Sequence, residues 1–236
     1  MVRFGTLAFD GVPRIAVPFR DGSFAPYIDD AVKRGVDIAE LRIDEFSKHD
    51  TAHVLAEAAK FSALPVLATI RCAAEGGKWS DTDDRRLELY RAVLPHVQAV
   101  DVELSSAAIL PSVVRDAHAL DKPVVISFHD FTGTPDRATL ERIALEARAA
   151  GADIVKVAGF CTRQADIQTL AAFTLDHAED GVVVIGMGPI GVCTRVLFPA
   201  LGSLFTFAAL GQGTAPGQLQ LAELKQLLGQ IYPRAS

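Results

Sequence analysis

The amino-acid sequence predicts an α/β fold, a (β/α)8 barrel of the TIM type, in a single domain over residues 1–236. Three observations predict it. Eight short apolar runs alternate with longer stretches of helical spacing. The length of 236 residues suits one such barrel, and no linker, low-complexity tract or block of like charge divides the chain. In four of the runs polar residues recur at every second position, and a fifth sets Lys156 between apolar neighbours, as happens where strands turn one face to a barrel axis. A doubly wound sheet is the alternative use of the same units.

The strands follow in order. RIAVPF (14–19) is the first. In DIAELRI (37–43), Glu40, Arg42 and the following Asp44 share a face opposite Ala39, Leu41 and Ile43. In PVLATIR (65–71), Thr69 and Arg71 oppose Val66, Ala68 and Ile70. The next segment, SDTDDRRLELYRAVLPHV, opens with capping and acidic residues and carries Leu87, Tyr90, Val93 and Leu94 at helical intervals. In AVDVELS (99–105), Asp101, Glu103 and Ser105 oppose Val100, Val102 and Leu104. In PVVISFH (123–129), Val125, Ser127 and His129 oppose Val124, Ile126 and Phe128. TPDRATLERIALEARAAGAD then reads as a helix with Thr134 as N-cap, Pro135 in the first turn and Gly151 as its stop. In DIVKVAG (153–159), Ile154, Lys156 and Ala158 oppose Val155 and Val157.

The seventh strand, GVVVIGM (181–187), runs into Gly186-x-Gly188-x-x-Gly191, the spacing of a dinucleotide-binding turn. A true fingerprint needs an acidic residue about 20 positions later for the ribose. None occurs from Gly181 through Ala222, and Pro189 follows the second glycine. The segment therefore reads as a tight strand-to-helix turn. LFTFAAL (204–210) is the eighth strand. After it, LGQGTAPGQ (210–218) carries three glycines and, past Leu210, no bulky core residue, which predicts a mobile lid.

Composition excludes several classes. A net charge of −6 does not suit a general nucleic-acid binder, since phosphate contacts need a basic surface. Cys72, Cys161 and Cys193 form no CxxC and no Cys/His spacing, so neither a zinc site nor a disulfide framework is expected. No apolar stretch reaches the roughly 18 residues of a membrane span, and the start lacks a signal-peptide pattern. The expected setting is the cytoplasm.

With the apolar faces on the helices, the polar faces converge on the barrel axis near the carboxyl ends of the strands, where barrel enzymes keep their active sites. Each residue alone has a structural reading: Glu40 with Arg42 or Arg71 can be an ion pair at the barrel mouth. Lys156 is the most informative, because lysine is almost never buried without a partner. It is either paired to an inward carboxylate such as Glu103, or a nucleophilic amine able to form a Schiff base with a ketone. His129 ends the neighbouring strand on the same side, where it can move protons.

These residues sit in recognisable phrases: ELRID (40–44), RCAAEGG (71–77), SFHDF (127–131), ADIVKVA (152–158), GVCTR (191–195), GSLFTF (202–207) and TAPGQL (214–219). In this order, through nearly the whole chain, they resemble type I 3-dehydroquinate dehydratase. The resemblance implies dehydration of a small-molecule substrate, 3-dehydroquinate, to 3-dehydroshikimate through a Schiff base, with no metal and no cofactor. It makes Lys156 the Schiff-base lysine, His129 the general acid/base and Glu75 the carboxylate that orients it. It makes Arg195 the clamp on the substrate carboxylate and Glu40, Arg42 and Arg71 the polar network around the substrate. Thr214 and Gln218 fall in the closing loop, Thr214 where the family usually has serine. Pro18 stands where some members place serine, so one ligand contact is missing or replaced. Members are often dimeric, which leaves room for a homodimer, although no stripe in the sequence marks an interface. A class I aldolase would also explain Lys156 but would prefer a phosphate site to Arg195. A non-catalytic binder would have no use for the set Glu75, His129 and Lys156.

Overall fold

The computed structural model describes residues 2–22, 25–211 and 215–232. At its centre are eight parallel strands: β1 (Arg14–Phe19), β2 (Ile38–Arg42), β3 (Val66–Thr69), β4 (Ala99–Glu103), β5 (Val124–Asp130), β6 (Ile154–Phe160), β7 (Val182–Met187) and β8 (Phe205–Phe207). They pair in chain order, and β8 returns to lie beside β1, with Phe205 opposite Arg14. The last seam, between β7 and β8, is a bridge from Val182 to Ser203 with the Leu204 N–H donating to the Val182 carbonyl at 2.9 Å. The strands thus close into the expected barrel, and the eighth is shorter than the apolar run that contains it.

Helices α1 (Ala25–Arg34), α2 (Thr51–Ala59), α3 (Asp83–Val93), α4 (Leu110–His118), α5 (Arg137–Ala149) and α6 (Gln164–Asp176) each follow one of the first six strands. Two short turns of helix, α7 (Gly188–Gly191) and α8 (Thr194–Leu197), follow β7, and α9 (Leu221–Ile231) follows β8. Parity sorts the core into two buried groups, as the alternation of a half-polar strand requires. Val66, Ala68, Ile70, Val100, Val102, Val124, Ile126, Val155 and Val157 pack outward under the helices. Ile38, Leu67, Ala99, Val125, Ile154, Val183 and Phe205 fill the barrel interior.

The lower end is sealed by an N-terminal ribbon in which Arg3–Phe4 pairs antiparallel with Leu7–Ala8. It brings Phe4 and Phe9 beneath the barrel, with ring centroids 5.3 Å apart and each 5.8 Å from Phe205. The open end is therefore the carboxyl end of the strands.

One local expectation resolves differently. Helix α5 starts at Arg137, and its cap is Asp136, whose carboxylate accepts the Thr139 N–H at 2.9 Å. The Thr134 hydroxyl is taken up elsewhere: it donates to the Phe160 carbonyl at 3.1 Å and caps no helical N–H. The glycine-rich segment is the expected strand-to-helix turn: Gly186 belongs to β7, the bend begins at Gly188, with φ of 78°, and Pro189 stands in the first turn of α7. A Cβ on Gly191 would lie 2.4 Å from the Gly186 carbonyl carbon, so the turn folds back onto its own strand.

Candidate active site

Register explains which inward side chains meet. Along the hydrogen-bonding direction Lys156 pairs with Ser127, and Ser127 with Glu103. In a tilted barrel with a shear equal to its strand number, residues at one height on strands two apart differ from that register by about two positions. Lys156 is therefore level with Asp101 and not with Glu103. By the same rule Glu40 of β2 joins that level. The distances agree: Lys156 Nζ donates to Asp101 Oδ2 at 2.9 Å and lies 3.9 Å from Glu40 Oε1 and 4.7 Å from the Phe207 ring centre. The carboxylate expected as a partner, Glu103, is engaged elsewhere.

Around this level the charges alternate. Arg71 Nη2 donates to Asp101 at 2.6 Å, and Arg71 Nη1 donates to Glu103 at 2.9 Å and to the Ser127 hydroxyl at 2.6 Å. Glu103 lies between Arg71 and Arg86, a fully buried guanidinium from α3, and also accepts the Ser106 hydroxyl at 2.7 Å. Burial alone would push both carboxyls up. Arg71 and Lys156 outweigh it at Asp101, held far below the ordinary aspartate value, and Arg71 and Arg86 outweigh it at Glu103, held at about 2. Arg71 stays firmly cationic because Asp101 and Glu103 offset the cost of burying it.

One level higher, His129 and Glu75 form a dyad. The His129 backbone N–H donates to Glu75 Oε2 at 3.0 Å, and its Nδ1 lies 2.9 Å from the same oxygen. With Glu75 ionised, Nδ1 carries the proton and Nε2 keeps a free lone pair. The other oxygen of Glu75 accepts the Ser105 hydroxyl. Burial pushes the Glu75 carboxyl up. Burial, with Arg71 and Lys156 nearby, pushes the His129 imidazolium well below its ordinary value, so the ring is neutral around pH 7. Glu75 owes its place to the turn Ala73–Glu75 and the two glycines behind it. Gly76 has φ of 77°, and a Cβ on Gly77 would stand 2.0 Å from the Arg71 carbonyl oxygen.

Arg195, on α8, enters from the far side. Its guanidinium donates to the backbone carbonyls of Gly217 at 2.9 Å, Pro216 at 3.3 Å and Phe207 at 3.4 Å. Among the described residues it meets no carboxylate within salt-bridge distance, and burial lowers its pKa to about 10. Arg42, by contrast, is clamped by both oxygens of Asp44, at 3.0 and 2.8 Å, with Glu45 at 3.1 Å.

These groups share one cavity of about 550 Å³, counting its mouth. Glu40, Arg42, Arg71, Glu75, His129, Lys156, Arg195 and Gln218 all line it, opposite an apolar wall that includes Ile185, Met187 and Phe207. Gln218 also donates to the Ala208 carbonyl at 3.1 Å. Thr214, with Gln212 and Gly213 of the expected lid, lies outside the described residues. Sequence reasoning gave no role to Asp101 or Ser105, although parity turned both inward, and it missed Arg86. That arginine lies four positions before Tyr90 on the inner stripe of α3, a signal the helical spacing carried. Among the described residues no group of three His, Cys, Asp or Glu side chains is placed to hold a metal.

The arrangement suits amine chemistry on a carbonyl: an enclosed amine, a neutral imidazole and a cation open to an acid group. Comparison with known proteins points the same way. The family profile of the type I 3-dehydroquinases matches residues 23–234. A 3-dehydroquinate dehydratase of Thermodesulfovibrio yellowstonii is 34% identical over 219 residues, covering 92% of this chain and 95% of that one. The crystal structure of the 3-dehydroquinate dehydratase of Geobacillus kaustophilus superposes with a TM-score of 0.86 at 29% identity, covering 94% and 93% of the two chains. That of the type I enzyme of Clostridium difficile, with covalent modified comenic acid, gives 0.86 at 27% identity over 98% and 97%. With a barrel, a buried lysine and these relatives in agreement, the chain belongs to the type I 3-dehydroquinase family.

Proposed function

We propose that Lys156, His129 and Glu75 carry the family's reaction in this chain, with Arg195 anchoring the substrate. The reaction is the dehydration of 3-dehydroquinate to 3-dehydroshikimate, a hydro-lyase step of the shikimate pathway that proceeds through a Schiff base. One observation carries the assignment: the Lys156 amine is enclosed in the same cavity as a neutral imidazole whose Nδ1 is held by a carboxylate.

The chemistry follows from those groups. An amine attacks a ketone through its lone pair, so the ammonium must first lose a proton. Asp101 is a poor acceptor, because Arg71 and Lys156 hold its carboxyl far below the ordinary value. His129 is the better one, neutral and open at Nε2. The Lys156 nitrogen adds to the ketone carbon, His129 protonates the departing oxygen, and water leaves to give an iminium. Its positive charge acidifies the adjacent carbon. His129 then takes the α proton and returns one to the β hydroxyl as it departs. Water adds back to release the conjugated product and the free amine. Glu75 keeps Nδ1 protonated and stabilises the imidazolium that forms.

Arg195 has the right property for an anchor. It offers a guanidinium fork that no described carboxylate neutralises, whereas Arg42 is already clamped by Asp44. Glu40, Arg42 and Arg71 shape the polar floor, Gln218 borders the cavity, and the resemblance to the family gives Thr214 a substrate contact. The same reading takes residues 1–236 as one domain that works in the cytoplasm, alone or as a homodimer. No helix among the described residues is long and apolar enough to cross a membrane. The test is Lys156→Ala assayed by the ultraviolet absorbance of the conjugated product. The expected result is no rise above background; turnover near that of the unchanged protein would overturn the assignment.

A further inference from the structure

Glu75 is held by more than His129. Its Oε2 receives both the backbone N–H and Nδ1 of His129, while its Oε1 receives the hydroxyl of Ser105. Ser105 follows β4 and is fixed by its backbone: the Ala107 N–H donates to the Ser105 carbonyl at 2.9 Å, and the Leu104 N–H donates to Ser127 O at 2.9 Å. The serine stands exposed at the rim of the barrel, and the carboxylate beneath it is only 7% exposed.

We propose that Ser105 is a positioning residue for the reaction, fixing the rotation of the Glu75 carboxylate so that Oε2 stays on Nδ1 of His129. The proposal rests on the roles given above to Glu75 and His129. A carboxylate turning about its terminal bond presents either oxygen, or neither, to the imidazole. A hydroxyl donor on Oε1 removes that freedom, because the two His129 donors and the Ser105 donor lie on opposite oxygens. The same bond favours the ionised carboxylate. The charged and titratable groups that face Glu75 are Arg71 just past the end of β3, the Cys72 thiol beside its own turn, Glu103 from β4 and His129 from β5. Burial already drives the Glu75 carboxyl up, Arg71 and the Ser105 bond draw it down, and Glu103 drives it up again. Without the serine, Glu75 takes its proton at a higher pH. A protonated Glu75 donates to Nδ1, which shifts the imidazole proton to Nε2 and removes the base.

The test compares Ser105→Ala, Ser105→Thr, Glu75→Gln and His129→Ala with the unchanged protein in pH profiles of kcat and KM for 3-dehydroquinate, with thermal melting as a check on folding. For Ser105→Ala the expected result is a fall in kcat of about tenfold at pH 7, a KM within about twofold, and an acid limb of kcat moved to higher pH by roughly half a unit. Ser105→Thr, which keeps the hydroxyl, restores the profile. Ser105→Ala with an unchanged kcat and acid limb overturns the proposal, as does a loss seen equally in Ser105→Thr. If those serine results come with large losses in Glu75→Gln and His129→Ala, the dyad stands and only the role of Ser105 fails. If Glu75→Gln and His129→Ala themselves turn over normally, the reading beneath the proposal fails, and the proposal with it.

Discussion

Lys156 and Asp101, on strands two apart, meet at 2.9 Å at one level of the barrel, and Asp101 is shared with Arg71 at 2.6 Å. The Lys156 amine is thus placed by a carboxylate that a second cation holds in its charged form. Asp101→Asn removes that anchor and leaves Lys156 and Arg71 as neighbouring cations with one carboxylate fewer. We expect kcat to fall by on the order of 10²-fold, the scale of a misplaced reacting group, with the chain still folded at 25 °C. Steady-state ultraviolet assays beside circular dichroism check this; a variant within about threefold of normal would detach Asp101 from the amine's function.

His129 gives a pH signature. It must be neutral to accept a proton, and burial, Arg71 and Lys156 all lower its pKa below 6.5. A lowered pKa means the base form persists as pH falls past the ordinary imidazole range. The acid limb of kcat/KM, which reports the free enzyme, should therefore lie below pH 6.5. His129→Ala should lose about 10²- to 10⁴-fold in kcat together with that limb. An inflection at or above 6.5 in the unchanged protein would contradict the environment described for the ring.

Arg195 should act on binding more than on chemistry. In the proposed role its fork would make two charge-assisted bonds to the substrate carboxylate, each worth about 1.5–3 kcal/mol. Arg195→Leu should raise KM for 3-dehydroquinate by on the order of 10²-fold, and Arg195→Lys should recover only part of that, because a point charge lacks the fork. An unchanged KM in both variants would place the substrate's carboxylate elsewhere in the cavity.

Glu103 should matter to stability. It is fully buried between Arg71 and Arg86. Removing one member of such a group leaves buried charge uncompensated, so Glu103→Gln should cost about 3–5 kcal/mol in a urea titration at pH 7. The acid side has a defined sign. Burial is outweighed by Arg71 and Arg86, so the folded-state pKa of Glu103, about 2, lies below the ordinary 4.5. Its contribution is complete above pH 4.5 and is lost as pH falls toward 2. Glu103→Gln should flatten that part of the stability curve.

Much of this site was legible because strands have a period of two. Glu40, Arg42, Arg71, His129 and Lys156 could be placed on the barrel axis from alternation with Leu41, Ile70, Phe128 and Val157 alone. Parity names a face and not a height. Asp101 and Glu103 share that face, and only the stagger of the closed sheet decides which of them reaches Lys156. Arg86 was missed because a charged residue in a helix is ordinarily read as solvated; it is buried here by pairing with Glu103 from the barrel. The α5 cap is Asp136 and not Thr134 because the Thr134 hydroxyl bonds the neighbouring strand at Phe160, which leaves the Asp136 carboxylate to accept the Thr139 N–H; that tertiary bond has no local sequence signal. The fold rested on the βα repetition, which survived these local differences.

The most direct measurement is trapping of the imine. The protein is mixed with 3-dehydroquinate, reduced with borohydride, weighed intact and digested for peptide mapping. The account predicts a stable adduct on the peptide containing Lys156, heavier than the free chain by the ketone less one water plus two hydrogens, and absent from Lys156→Ala. An unmodified chain under turnover, or an adduct confined to another lysine, would contradict it.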